Sequence, residues 1–554
     1  MLKMSQALAT MFLIPPLAVM PVPSMAQSDG DLPRIERRGS ASQLIVGGKP
    51  FLVLGGELHN SSSSTLSYMQ PIWPRLAEMN LNTVLVPVSW EQIEPREGGY
   101  DFSLVDGLIR DARKHNLRVG LLWFGTWKNL VSSYAPAWVR RDTQRFPTAV
   151  DKAGNKLPIL STFSKEGQAA DARAFAALMK HLREIDSRDQ TVIMVQVENE
   201  VGLGNAERDY SEAANLAFAQ EVPKALMAEL VRRKGELSRE LLGAWTAAGA
   251  KTSGTWEQVF GSGAATNEIF MAWNYARYIS GVVAEGHAAY RLPLFVNAAI
   301  GRQDGRLATY PSGGPLPLVL NIWQAGAPQI GMFTPDIYFG SFADWCAKYT
   351  QSGNPLFIPE MRGGAQGAAN AFLAIGNYGA IGASPFGIDA SLGDKDLTQA
   401  YATLKELTPL ILSSQPGNMV KAVVLDATNP SGSMVLGDYM LNVQLRRDRR
   451  SSETAAQGYA LAIAEPGDRF IIAGKDVQVT FATQGGEPRT VGLDVVEEGS
   501  FVDGKWITRR RLNGDETMLD YNLSSLAATR QYGTGLRFAG DAPQILRTSL
   551  FQIR

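Results

Sequence analysis

The sequence predicts an α/β fold, a (β/α)8 barrel of parallel strands, followed by an all-β sandwich or jelly-roll domain. Three observations predict it. From residue 51, short and continuously apolar runs alternate with stretches whose apolar residues recur at three and four, the pattern of strands buried on both faces and of helices that cover them. Eight such runs occur before about residue 412, enough to close a barrel. Beyond it the chain changes to short strands punctuated by Gly, Asp and Pro, such as "MVKAVVLD" and "GYALAIAEPGDRFIIAGKDVQVTFAT".

Taken in order, residues 1–26 read as an export signal. Lys3 supplies the positive start, Ala7 to Met20 an apolar stretch, and "SMA" ending at Ala26 the small residues of a cleavage site. The stretch is too short and too rich in proline to span a membrane, so the expected location is periplasmic or secreted, with no membrane partner for the mature chain. The barrel is expected over 27–412. Its strands read as "FLVLGGEL", "TVLVPVSW", "RVGLLWFG", "TVIMVQVENE", "PLFVNAAI", "IGMFTPDIY", "PLFIPEM" and "SPFGIDA". Intervening helices include "LVDGLIRDARKHN", "ARAFAALMKHLREID" and "FADWCAKYTQ". The fourth unit carries a long helical insertion before strand five; whether it reaches a ligand is open. An open doubly wound sheet is the rival fold, but no G-x-G-x-x-G turn follows the first strand. The β-domain is expected over 413–554, with Trp506 as its single tryptophan, a thin basis for a ligand-stacking surface.

Composition narrows the function. The formal net charge of -1, without a long basic block, argues against nucleic acid or an anionic membrane surface as partner. The single cysteine, Cys346, excludes an internal disulfide and sits in an apolar helical stretch, as a small buried residue would. The four histidines have no metal-ligand spacing, so no metal is expected.

Polar groups gather where the strands run out, the end at which barrels of this kind build their sites. Strand one ends at Glu57, followed by His59 and Asn60; strand two at Ser89, Trp90 and Glu91; strand three at Trp127, Lys128 and Asn129; strand four at Asn199 and Glu200; strand five near Asn297; strand six at Asp336 and Tyr338; strand seven at Glu360 and Arg362. Carboxylates among aromatics suggest a sugar pocket. Glu200 and Glu360 close apolar strands that stand across the barrel, and two carboxyls in different environments can divide acid and nucleophile roles. The opposing reading makes them structural, with Arg362 as ion-pair partner of Glu360. Alternation puts Glu198 and Glu200 on one inward face, Glu198 deeper in a structural network and Glu200 at the mouth; Asn199 then points away unless the strand bulges at its end.

The Asn199-Glu200 pair with a second Glu on strand seven resembles the large clan of retaining glycosidases built on (β/α)8 barrels. Within it, "GGELHN", "NLNTVLVPVSWEQIEPREGGYDF" and "QVENEVG" are similar to glycoside hydrolase family 35, the β-galactosidases, and "LLWFGTWKN" with "YAPAWV" to the branch with a C-terminal β-domain. The resemblance implies Glu200 as general acid/base, Glu360 as nucleophile and Asn199 as the group that binds the sugar 2-hydroxyl. Glu57, Trp127, Asn129 and Tyr338 would line the terminal sugar site. It implies an exo-acting β-galactosidase without cofactor, taking an oligosaccharide substrate such as one derived from xyloglucan. Val201 stands where the family commonly has Tyr, and Phe386 where many clan members have Trp, which leaves the exact sugar open. The alternatives are a β-glucosidase or arabinosidase of the same mechanism, or a non-catalytic carbohydrate-binding barrel. Oligomeric state is not legible.

Overall fold

The computed structural model describes residues 32–204, 206–301, 311–447, 454–485, 490–512, 514–517 and 535–553. The export signal lies outside the described residues.

Eight parallel strands close a barrel: Val53–Glu57, Thr83–Ser89, Arg118–Lys128, Val192–Asn199, Leu294–Ala299, Met332–Ile337, Ile358–Met361 and Gly382–Pro385. All eight expected strands are present. The eighth sits earlier than the expected 384–390: Pro385 lacks a ladder donor, Gly387 turns the chain at φ 67°, and Ile388–Ala390 forms a helical turn. Strand three runs to Lys128, three residues beyond expectation. The barrel interior is filled by Leu85, Leu122, Phe124, Met194, Phe295, Met332, Phe357 and Ile381, a packed core rather than a pore.

Ahead of the barrel lies a sheet that the barrel pattern does not foretell, of strands Arg34–Arg38, Ala41–Val46 and Lys49–Phe51. Its Leu44 and Val46 belong to the same apolar cluster as the barrel interior, so this sheet stoppers one end. The open mouth is then the other end, where the strands' C-termini lie.

The outer ring contains the expected helices Ser103–Lys114, Lys165–Asp186 and Phe342–Tyr349, and adds Gly364–Asn377 and Lys395–Ser414. The insertion after strand four folds as helices ending in Ala264–Ala289, which packs along Lys165–Asp186. Cys346 is fully buried in Phe342–Tyr349. Among the described residues no helix is long and apolar enough to cross a membrane.

After Ser414, strands from Val420 onward form a six-stranded and a four-stranded antiparallel sheet. Ala460, Ala462, Phe470 and Ile472 face the core between the sheets, while Tyr459, Leu461, Ile463 and Ile471 join the barrel's core through helix Gly364–Asn377. The six-stranded sheet is thus apolar on both faces and locked to the barrel. Trp506 packs edge-on against Phe501 at 5.1 Å and donates to Glu497, which gives it a structural place.

Strands eight and one meet through the register pairs Gly382 with Val53 and Ala383 with Leu54, and an isolated bridge joins Glu57 to Phe386. The buried Tyr401 hydroxyl reinforces the seam, 2.9 Å from the Gly55 carbonyl and 2.8 Å from that of Ala383. Tyr401→Phe leaves buried carbonyls short of a donor and should cost about 1–3 kcal/mol. A urea midpoint equal to that of the parent chain would show that the seam does not depend on this hydroxyl.

Candidate active site

The site is built where strand four breaks its pleat. Glu198 and Glu200 have φ of 64° and 43°, left-handed values that non-glycine residues seldom adopt. Each costs on the order of 1–3 kcal/mol and persists only when its surroundings fix it. Three hydrogen bonds do so. Trp127 N–H donates to Glu198 Oε2 at 2.6 Å, the Gln196 amide donates to the Glu198 carbonyl at 2.9 Å, and Glu200 N–H donates to Asn297 Oδ1 at 2.9 Å. Strand three bulges to match. Trp123 pairs with Val197, but the next pair is Lys128 with Asn199, so four residues of one strand face one of the other.

This turn corrects the expectation of strict alternation. Glu198 does not share the inward face of Glu200. It turns out of the barrel toward Asp171 of helix Lys165–Asp186, in a pocket where Trp123 Nε1 and the Thr126 hydroxyl donate to Asp171 at 2.9 and 2.7 Å. Burial and the facing Asp171 push the Glu198 carboxyl well above the usual carboxylate range, so it holds a proton. Gly125 is required beside it: a Cβ there would stand 2.4 Å from Trp123 Nε1 and 2.9 Å from oxygens of both acids. With Glu198 turned away, Asn199 swings into the mouth.

There Asn199 Nδ2 lies 3.4 Å from Glu360 Oε1, and its Oδ1 accepts from Lys128 Nζ at 2.8 Å. Glu360 is held by two more donors, Asn297 Nδ2 at 3.4 Å to the same oxygen and the Tyr338 hydroxyl at 2.7 Å to Oε2. Asn297 also donates to Asp336 Oδ2 at 2.7 Å. One oxygen from each of Glu200, Asp336 and Glu360 lies within 4.8 Å of the other two. The amides of Asn199 and Asn297 and the Tyr338 hydroxyl donate to two of the three, Glu360 and Asp336. Glu57 lies fully buried beside them with neither carboxyl oxygen hydrogen-bonded.

Crowded, buried carboxyls resist ionisation. Burial first, then the Glu360 charge, pushes Glu200 up to about 7, opposed by Lys128 and by hydrogen bonding with Asp336. Burial and Glu360 also drive Glu57 and Asp336 well above the usual carboxylate range, with Lys128 opposing in both. Burial and the same Glu360 charge raise the Tyr338 phenol, which therefore stays a donor.

The structure brings together Glu57, Asn199, Glu200, Tyr338 and Glu360, and places Asn129 at the rim, accepting from Lys128 Nζ at 3.0 Å. It does not bring in Trp127. That indole is fully buried between Tyr275 and Tyr278, with ring centroids at 4.9 and 4.5 Å, and donates to the Leu160 carbonyl. Only its backbone N–H serves the site. At the end of strand two, Trp90 is core and Glu91 an exposed partner of Arg140. His59 pairs with Asp389 at 3.1 Å beside Phe386. Arg362 does not pair with Glu360: it donates to the Tyr338 carbonyl and lies over Phe339. Asp171 went unread, although its spacing from Gly167, Phe175 and Leu178 puts it on the apolar stripe of its helix, where a carboxyl needs a partner.

A family model of glycoside hydrolase family 42, described as Beta-galactosidase, matches residues 67–278. A second, described as Domain of unknown function (DUF5597), matches residues 397–524. No curated protein matches the sequence. Among solved structures the chain is similar to β-galactosidases from Bacillus circulans sp. alkalophilus, Marinomonas ef1 and Halorubrum lacusprofundi. Identities are 15%, 14% and 15%, with 66%, 65% and 64% of this chain and 57%, 60% and 58% of theirs covered, at TM-scores of 0.46, 0.43 and 0.40. The chain spans less than two thirds of the length of these solved relatives. The family match over 67–278 takes in strands two, three and four of the closed barrel, including the strand end that carries Asn199 and Glu200.

The protonated Glu198 makes a testable claim with a definite sign. A carboxyl raised above its unfolded value of about 4.5 stabilises the fold fully below that value and loses the contribution as pH rises through the raised one. As pH rises above about 4.5, the melting temperature of the parent chain should therefore fall more steeply than that of Glu198→Gln, which cannot ionise. Equal slopes would show that Glu198 carries no extra proton.

Proposed function

We propose that the protein is a retaining, exo-acting β-galactosidase that removes terminal β-galactose from oligosaccharides by double displacement. The observation that carries this reading is the approach of Glu200 and Glu360 oxygens to within 4.8 Å. Retaining glycosidases keep their two carboxyls about 5–5.5 Å apart, whereas inverting ones need about 6.5–9.5 Å to admit a water.

The surroundings divide the roles. Glu360, held by three neutral donors, is the nucleophile: its carboxylate attacks the anomeric carbon while the bond to the leaving oxygen breaks. Glu200, poised near 7, donates its proton to that oxygen and becomes the carboxylate that activates water in the second step. The water oxygen replaces Glu360 on the anomeric carbon, and the sugar leaves with its configuration kept. Asn199 Nδ2, already beside Glu360, donates to the sugar 2-hydroxyl; Glu57, Asn129 and Tyr338 line the terminal sugar site. The choice of β-galactose is supported by the family match over 67–278. Placement in family 35 and a xyloglucan-type substrate rest on the "GGELHN", "QVENEVG" and "YAPAWV" resemblances. A β-glucosidase or arabinosidase would use the same carboxyls.

Glu360→Gln should lose at least about a thousandfold in turnover of aryl β-galactosides while keeping its melting temperature. Glu200→Ala should fail on alkyl or sugar leaving groups far more than on nitrophenyl ones. Its slow second step should speed up with azide, giving the β-azide. Near-normal turnover by folded Glu360→Gln, or azide rescue of Glu198→Ala in place of Glu200→Ala, would overturn the assignment.

We further propose that the chain is exported and cut after Ala26, supported by Lys3, the apolar run and "SMA". N-terminal sequencing of native protein should begin at Gln27; a cytoplasmic chain that begins at Met1 would refute this.

A further inference from the structure

Double displacement at Glu200 and Glu360 leaves one buried charge without a task. Lys128 ends strand three with 4% of its surface exposed. An ammonium in such a place costs several kcal/mol unless its donors are used and its charge is balanced. Both of its hydrogen bonds go to amide oxygens, Oδ1 of Asn199 at 2.8 Å and Oδ1 of Asn129 at 3.0 Å, and the Phe124 ring lies 4.8 Å away.

The bond to Asn199 has a directional consequence. A side-chain amide can present its oxygen or its NH2 to a neighbour, and only the oxygen can accept from an ammonium. Lys128 therefore forces the Asn199 NH2 to the opposite side, where Glu360 Oε1 stands at 3.4 Å. A flipped amide would set NH2 against ammonium and a carbonyl oxygen against the nucleophile.

Its charge has a second consequence. The groups that face the pocket are Glu57 from strand one, Glu200 from strand four, Asp336 and Tyr338 from strand six, and Glu360 from strand seven. Lys128 is the cation whose field acts on Glu57, Glu200 and Asp336 alike.

We propose that Lys128 is a positioning residue: its ammonium locks the Asn199 amide with the NH2 toward nucleophile and sugar. The proposal rests on the reading of Glu200 as acid/base and Glu360 as nucleophile.

The test compares Lys128→Met with Lys128→Cys before and after alkylation by 2-bromoethylamine, which restores an ammonium on a chain of nearly the same length. Cys346, the sole native cysteine, is buried, so the parent chain treated in the same way is the control. Lys128→Met should lower kcat/KM for aryl β-galactosides roughly 100-fold, as a displaced catalytic contact does. It should lower it much less for 2-deoxygalactosides, which lack the hydroxyl that Asn199 binds. The alkaline limb of its pH profile should move up by about one unit or more, because the cation opposing the Glu200 proton is gone. Aminoethylation should restore both rate and limb. Lys128→Gln, which keeps an N–H donor without the charge, stands in should Lys128→Met fail to fold, and should show the same moved limb. A folded, slowed variant with an unmoved limb and equal losses on both substrates would mean that Lys128 is only structural. Glu360→Gln assayed alongside separates the two levels: if it stays active, the double-displacement reading fails and this proposal with it, whereas if it is dead and the limb is unmoved, Lys128 alone is misassigned.

Discussion

The site depends on one contact, the Glu198 carboxyl pinned outside the barrel by the Trp127 N–H and the facing Asp171. Without it, an extended strand four would keep its pleat, and Asn199 would point away from the cleft. With it, the backbone takes two left-handed steps in three residues, and an amide and a carboxyl reach the same mouth. The bulge in strand three is the complement of that turn: the extra residues Phe124 to Trp127 carry the N–H that holds Glu198 and deliver Lys128 next to Asn199. Strain in strand four is balanced by a hydrogen-bonded pocket behind it, where Glu198 and Asp171 lie buried between the barrel wall and its helices.

The electrostatics follow from the same crowding. Four carboxyls from strands one, four, six and seven converge on a pocket that Lys128 also reaches. They cannot all ionise, and burial decides which give way. Glu360 has three neutral donors around it, while Glu57, buried beside it, has none. Glu200, partly open to the mouth, is raised to about 7, with burial and Glu360 raising it and Lys128 opposing them.

The barrel was legible because parallel strands buried on both faces read as unbroken apolar runs, and their polar ends stood out against them. For the same reason Glu57, Glu200, Asp336 and Glu360 could be read as polar strand-end groups, whereas the place of Asn199 came from the family resemblance, because alternation pointed it away. What failed were inferences that assumed regular geometry. Period-two alternation mis-faced Glu198, since a left-handed residue leaves no mark on the apolar pattern. Trp127 looked like a sugar platform because it stood among polar strand-end residues, yet the bulge turns its ring into the helix layer. The N-terminal sheet had a signal that went unused, the Gly47-Gly48 turn between two β-rich runs. Asp171 needed the helix stripe to be read for what did not belong on it.

The central claim is that Glu360 forms the bond to the sugar while the other three carboxyls do not. Incubation with a 2-deoxy-2-fluoro β-galactosyl fluoride, whose glycosyl-enzyme turns over slowly, followed by peptide mapping of the labelled protein, tests it most directly. The account predicts one fluorosugar per chain, carried on Glu360 in the "PLFIPEM" peptide and lost when that residue is Gln. A label on Glu200, Glu57 or Asp336, or inactivation without any covalent label, would contradict it.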